Sequence, residues 1–402
     1  MKLAKRLDHI EPFYVMECAK AAALIATSPA CDPAQGGERM LFLNIGEPDF
    51  TAPPLVQEAA ERAIRAGRTQ YTEAMGLPAL REALSAWYAQ RFGLDVPARR
   101  IVITAGASAA LQLACLALFE AGDEVLMPDP SYPCNRHFVA AADAVARLLP
   151  TSAEQRFQLD AAAVAQAWTP ATRGVLLASP SNPTGTSIHP DELRRIDAVV
   201  RGHGGPGGRT GPSGVLIIDE IYLGLSYDDT FGHSALQLGE HIVSVNSFSK
   251  YFCMTGWRLG WLVLPEALVA PVERLAQNLF ICASTIAQHA ALACFHPESI
   301  AEYERRRAEF RARRDRVVPA LNRLGLTVPV LPDGAFYAYA DCSAHSPDSW
   351  DFAFALMRSA HVALTPGRDF GRHEPARWLR LSFASSRDKL DEALHRLQRV
   401  LA

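Results

Sequence analysis

Two serines and a lysine stand in one four-residue run, Ser247-Phe248-Ser249-Lys250, and Arg258 follows eight residues later. An amine beside two hydroxyls and a fixed guanidinium suits a small molecule carrying both an aldehyde and a phosphate. The amine condenses with the carbonyl, while the hydroxyls and the guanidinium hold the anion. On a polar surface the same run would only hydrate a loop, so its meaning depends on what the rest of the chain brings beside it.

Three other segments are candidates for that company. Asp219 closes the apolar run Val215-Leu216-Ile217-Ile218, and an acid at the carboxyl end of a buried parallel strand sits where α/β sheets bind ligands. Asp219 and Lys250 fall at the ends of neighbouring predicted strands, so both can face one crevice. Asn182 lies in Ser179-Pro180-Ser181-Asn182-Pro183-Thr184-Gly185, directly after another apolar run, although Asn, Pro and Gly also make ordinary turns. Ala105-Gly106-Ala107-Ser108 joins a β-branched run to an apolar helix. Small residues let a ligand approach the backbone, and N–H groups at a helix start favour an anion; a plain tight turn uses the same residues.

Segments so far apart need a frame to bring them together. Short apolar, β-branched runs recur at 101–104, 124–127, 174–178, 215–219, 242–246 and 259–263, between longer helical patterns. Continuous rather than alternating hydrophobicity predicts strands buried on both faces, and their alternation with helices predicts a mostly parallel sheet. A chain of 402 residues exceeds the roughly 250–300 at which one core stops growing. The expected fold is therefore α/β: a large domain with a mostly parallel central sheet flanked by helices, plus a smaller α+β domain built from both termini. The expected division is 1–45 for an N-terminal arm and part of the small domain, 46–290 for the large domain and 291–402 for the C-terminal small domain.

Helical spacing places one helix after Thr51-Ala52-Pro53-Pro54, carried by Val56, Ala59, Ala60, Ala63 and Ile64, and another after Pro78, carried by Leu80, Ala83, Leu84 and Trp87. Leu390, Ala393, Leu394, Leu397 and Leu401 predict a closing helix, with Ser385 and Asp388 at capping-box spacing. A short strand is expected at 335–340. The Arg-rich segment 305–316, interspersed with Glu and Asp, reads as the wet face of a long helix. The stretch 202–214 has seven glycines in thirteen residues but no phosphate-loop pattern, and reads as a mobile surface connection.

Composition removes several classes of function. A net charge of -3 with no basic stripe gives no reason to expect nucleic acid. The eight cysteines include no C-x-x-C pair and no neighbouring His at ligand spacing, so neither a metal site nor a disulfide framework is expected, and a reducing, cytoplasmic setting is. Residues 1–12 hold no apolar stretch of signal-peptide length. The uncharged segment 101–119 is broken by Thr104, Gly106, Ser108 and Gln112, and reads as strand, turn and buried helix rather than a membrane span.

Taken together, Gly46-Glu47-Pro48-Asp49-Phe50, Tyr71, Gly106-Ala107-Ser108, Asp129-Pro130-Ser131-Tyr132, Ser181-Asn182-Pro183-Thr184-Gly185, Asp219-Glu220-Ile221-Tyr222, Ser247-Phe248-Ser249-Lys250, Arg258-Leu259-Gly260 and Arg380-Leu381-Ser382 resemble the class I/II pyridoxal-phosphate-dependent aminotransferases. The nine motifs stand in the family's order across nearly the whole chain. The resemblance implies pyridoxal 5'-phosphate as cofactor, with Lys250 holding it and later moving the substrate proton. It implies Asp219 at the pyridine nitrogen, Tyr222 and Asn182 at the phenolic oxygen, and Tyr132 stacked on the ring. Gly106, Ala107, Ser108, Ser247, Ser249 and Arg258 would hold the phosphate, joined by Tyr71 from the partner subunit of a homodimer. Arg380 would clamp the substrate carboxylate beside Gly46 and Asn182.

The implied activity is transfer of an amino group from an L-amino acid to a 2-oxo acid. Some aspartate-specific members place a lysine in the phosphate turn, where this chain has Ser108, or an arginine on the partner subunit, for which this chain offers no clear candidate. A neutral or aromatic donor is therefore expected over a dicarboxylic one, with Ile10-Glu11-Pro12-Phe13-Tyr14 and Asn278-Leu279-Phe280 as candidates for an apolar wall. The alternatives are an aspartate-type dicarboxylate aminotransferase, or a lyase or decarboxylase on the same scaffold. A ligand-sensing regulator would need a DNA-binding region, and only about forty residues without a helix-turn-helix pattern or basic excess precede the first motif.

Overall fold

The computed structural model describes residues 2–203 and 214–401. The glycine-rich run read as a surface connection falls mostly on 204–213, outside the described residues. At the centre is a seven-stranded sheet, in the order Ile101–Thr104, Gly260–Val263, Val243–Ser247, Val215–Asp219, Thr172–Ala178, Glu124–Asp129, Val145–Pro150. Gly260–Val263 is antiparallel to its neighbours, and the other pairings are parallel. The four residues of Ile101–Thr104 and of Gly260–Val263 are all buried, as continuous apolar runs covered on both faces must be.

Two strands start one residue later than their apolar runs imply, because Ser247 pairs with Gly260 across the antiparallel ladder and is held in the sheet by that partner. The edge strand Val145–Pro150 escaped the sequence reading. Its residues are only half-buried or exposed, so they lack the continuous apolar signal, and it ends on a proline that an edge tolerates.

The helices Pro54–Arg65 and Pro78–Phe92 each open on proline, and the second stops at Gly93 in the left-handed conformation. Gly106–Leu118 is the helix that follows the first strand, buried along most of its length. Toward the C-terminus, Thr365–Pro366, Trp378–Ser382 and Tyr337–Asp341 form an antiparallel sheet, and Leu41–Phe42 pairs with Val362–Ala363. Residues from opposite ends of the chain therefore share one small sheet.

Two local expectations need correction. The last helix spans Arg387–Leu401, so Ser386, not Ser385, precedes it, and its hydroxyl accepts from the Lys389 amide at 3.5 Å. With Lys389 at the third helical position, no acid is placed to complete a capping box. The Arg-rich face of Pro297–Arg323 is not simply wet: Arg313 is buried, donates to Asp49 at 2.7 Å and stacks on Phe50 at 5.1 Å, and Arg314 donates to the Pro332 carbonyl at 2.7 Å. Long arginine stems bury against apolar neighbours while their heads find acceptors, a choice that charge patterning alone does not reveal.

Candidate active site

Lys250 is fixed by the residue two places before it. Phe248 is fully buried, packs on Trp261 and Phe252 with ring centroids 4.9 and 5.0 Å away, and its backbone bonds Leu259 and Met254. Anchoring Phe248 turns Ser247, Ser249 and Lys250 toward a cavity of about 440 Å³ outside the carboxyl ends of the parallel strands. The Lys250 ammonium donates to the Gly46 carbonyl at 2.5 Å. Burial is the main reason its pKa falls to about 8; Arg380 and Arg258 push the same way, against Glu47 and Asp219. Desolvation thus outweighs the neighbouring guanidinium groups as the cause.

At one side Ala107, Ser108, Ser247, Ser249 and Arg258 line the cavity together. Arg258 lies over Gly106, where an added Cβ would come within 2.6 Å of its Nη2, and the Gly106 φ of +80° is one that glycine adopts freely. Hydroxyls, a guanidinium and a helix start on one wall make an anion site.

The two adjacent acids at the end of Val215–Asp219 differ in their surroundings. Glu220 accepts from Ser244 at 2.6 Å, Ser234 at 3.0 Å and the Ala235 amide at 2.6 Å. Asp219 lines the cavity with one donor among the described residues, the Ile221 amide at 3.1 Å, and burial lifts its pKa to about 6 against the opposing charge of Lys250. A buried carboxylate with so few partners is complementary to a cation delivered by a ligand.

Arg380 is buried and donates to Asn182 Oδ1 at 2.8 Å and the Asn44 carbonyl at 2.6 Å, with its guanidinium 4.5 Å from the Tyr337 ring centroid. Its Nε is buried without a hydrogen-bond partner among the described residues. The Tyr222 and Tyr337 hydroxyls are hydrogen-bonded at 2.7 Å.

Residues 38–397 match the family model described as Aminotransferase class I and II. The chain belongs to the class I and II aminotransferases. It is 39% identical over 394 residues, 96% of each chain, to the valine–pyruvate aminotransferase of Mycobacterium tuberculosis. A solved aminotransferase from the same organism superposes with a TM-score of 0.91 at 37% identity, covering 100% of this chain and 99% of that one. The Thermus thermophilus aspartate aminotransferase solved with maleate superposes with a TM-score of 0.89 at 33% identity, covering 100% of both. The family uses pyridoxal phosphate, and the protein is a pyridoxal-phosphate-dependent transaminase of the aspartate aminotransferase fold.

In this aminotransferase, Gly46, Ala107, Ser108, Tyr132, Asn182, Asp219, Tyr222, Ser247, Ser249, Lys250, Arg258 and Arg380 all line the one cavity. Gly106 lies behind Arg258 instead. Tyr71 is not brought there by its own chain: it is 78% exposed. Asn278, Leu279 and Phe280 do not line the cavity, and Leu279 is exposed. The helix ending at Leu279 turns this segment toward the surface, so the expected apolar wall is not built from it. Of 10–14, Phe13 alone reaches the lining, but Val15, Met16 and Ala19 from the helix Tyr14–Ala26 continue its wall. Those three, with Ile45, Glu47, Thr255 and Tyr337, escaped sequence reasoning. The helical spacing of Val15 and Ala19 was readable, though it looks the same as a core-facing stripe.

Proposed function

We propose that Lys250 carries the cofactor and that the enzyme passes the amino group of a neutral L-amino acid to a 2-oxo acid. The observation that supports this best is the convergence on one cavity of a buried amine of lowered basicity, a nearly unpartnered buried carboxylate and an anion site. Those residues fit pyridoxal phosphate in charge and in kind. Bound, the cofactor supplies an aldehyde to take the amino group and a ring to accept electrons.

The rest of the chemistry belongs to side chains. Ser108, Ser247, Ser249 and Arg258 hold the phosphate, and Asp219 keeps the ring nitrogen protonated. Tyr222 and Asn182 donate to the phenolic oxygen, and Tyr132 covers the ring. Arg380 orients the donor by its carboxylate, with Gly46 leaving room beside it. Lys250, whose basicity burial lowers, would take the proton from the substrate α-carbon and deliver it across the amino nitrogen to the carbon that the cofactor's aldehyde contributes.

Donor preference follows from what remains of the lining. Phe13, Val15, Met16, Ala19 and Ile45 present apolar surface, and the three lining cations, Lys250, Arg258 and Arg380, all have tasks in this reading. Glu47 adds a negative charge. A second substrate carboxylate thus finds no free cation among the described residues of this chain. In a panel of donors with 2-oxoglutarate or pyruvate, read as initial rates, valine, leucine and phenylalanine are expected to exceed aspartate and glutamate by at least about tenfold in kcat/KM. Aspartate or glutamate on top of that panel would refute the preference and favour the activity named for the Thermus relative.

A second copy of the chain completes the site in this proposal. Tyr71 points outward, and Met16 and Ile45 line the cavity while remaining 53% and 43% exposed. Light scattering of the active enzyme is expected to give a dimer mass, and full activity in a monomer would overturn the shared site. We place the enzyme in the cytoplasm; among the described residues no helix is long and apolar enough to cross a membrane.

A further inference from the structure

Tyr337 lies on the strand Tyr337–Asp341, opposite Ser382 and diagonal to Arg380 on the facing strand. Diagonal neighbours on one face of an antiparallel pair are within reach of long side chains, which places the Tyr337 ring beneath the guanidinium at 4.5 Å. Its hydroxyl has one protein partner among the described residues, the Tyr222 hydroxyl at 2.7 Å, and Gly46 seals it from the other side: a Cβ there would come within 2.2 Å of the Tyr337 oxygen. Both tyrosines are buried. A tyrosine this well covered, with no task in the reaction as described, stands one hydrogen bond from a residue that has one.

We propose that Tyr337 is a positioning residue: its hydroxyl donates to Tyr222, which makes Tyr222 a stronger donor to the phenolic oxygen of the cofactor. The inference rests on the assignment of Tyr222 made above. A phenol that donates one bond still has lone pairs to accept another, and accepting strengthens the bond it donates. Tyr337 is suited to the outer place in this chain because a cation lies on its ring. Burial raises the pKa of both hydroxyls, and Arg380 opposes the rise at both. Once Tyr222 turns its proton to another acceptor, its oxygen is left to accept from Tyr337 across the same 2.7 Å contact. The other titratable or charged groups facing the pair are Lys250, with its ammonium 5.8 Å from the Tyr222 ring centroid, and Tyr132. Neither is removed by the variants below.

The test is spectroscopic. Tyr337→Phe keeps the ring under Arg380 and removes the hydroxyl. In the holoenzyme, the pH midpoint of the cofactor's visible absorption is expected to move up by about half a unit to one unit, the order of one bond's influence on its neighbour in a buried chain. The donor KM stays within about twofold, because the Arg380 platform is intact, while kcat falls about three- to tenfold. Tyr222→Phe moves the midpoint at least as far, and the double variant matches Tyr222→Phe alone, because the relay acts only through Tyr222.

An unmoved midpoint in Tyr337→Phe, with a shift in Tyr222→Phe, overturns the relay and leaves the assignment of Tyr222 standing. No shift in either variant overturns both. A shift in Tyr337→Phe that adds in full to that of Tyr222→Phe also overturns the relay, since Tyr337 would then act by another route.

Discussion

Lys250→Ala is expected to remain folded and to lose transamination by at least about 10⁴-fold, because in the proposed function one residue both holds the cofactor and transfers the proton, and acid–base transfer alone contributes about 10²–10⁴. Loss of activity would not by itself separate chemistry from misfolding, but the pH dependence of stability does. Burial lowers the Lys250 pKa from 10.5 to about 8. A folded-state pKa below the unfolded one means a contribution fully present above the unfolded value and lost as pH falls through about 8. Near pH 7 the wild-type apoenzyme therefore carries a buried ammonium at a cost on the order of 3 kcal/mol, which alanine removes at the loss of one hydrogen bond to Gly46. The variant apoenzyme should melt above the wild type at pH 7, with the gap closing as pH rises past 8. Activity within tenfold of wild type would defeat the assignment, and a pH-independent gap would defeat the burial argument.

This trade of stability against function explains which parts of the site could be read from sequence. Residues kept for chemistry break local rules, and a lysine and an aspartate at the ends of apolar strands are such breaks. Asp219 and Lys250 were legible because each follows a run that the sheet must bury, and parallel pairing of Val215–Asp219 with Val243–Ser247 brings both to one edge. Arg380 is different: its strand lies in the C-terminal sheet, and only the resemblance to a family, not periodicity, joined it to the rest.

What stayed hidden obeys the rules. Tyr337 opens a strand buried along nearly its whole length, and Val15 and Ala19 keep helical spacing, so nothing in their neighbourhoods marks them as lining a cavity rather than a core. Leu279 shows the converse. It reads as apolar wall but faces outward, because side-chain direction at a helix end depends on where the chain turns next. The edge strand Val145–Pro150 was invisible for a related reason, since an edge residue half in water needs no apolar signature.

The same balance of cost and use makes Asp219→Asn the second sharp test. Asparagine keeps the shape and the bond from the Ile221 amide, but it cannot hold a proton on the ring nitrogen. Removing one preorganised electrostatic contact of this kind costs about 10²–10³ in kcat, and a loss of that order is expected. In the apoenzyme the effect on stability has the opposite sign. Burial raises the Asp219 pKa from 3.8 to about 6, so its contribution is present below the unfolded value and lost as pH rises through about 6. At pH 7.5 the charged carboxylate costs the wild-type apoenzyme on the order of 2–3 kcal/mol, and asparagine relieves that cost. A cation brought by the cofactor relieves it too, but only where the carboxylate is there to meet it. The melting-temperature gain on adding pyridoxal phosphate should therefore be larger in the wild type than in Asp219→Asn, and in the wild type it should widen from pH 5 to pH 7.5. Equal gains in the two proteins would mean that Asp219 does not face the cofactor's charge. A variant keeping more than a tenth of wild-type kcat would mean that the charge it holds is not what the reaction uses.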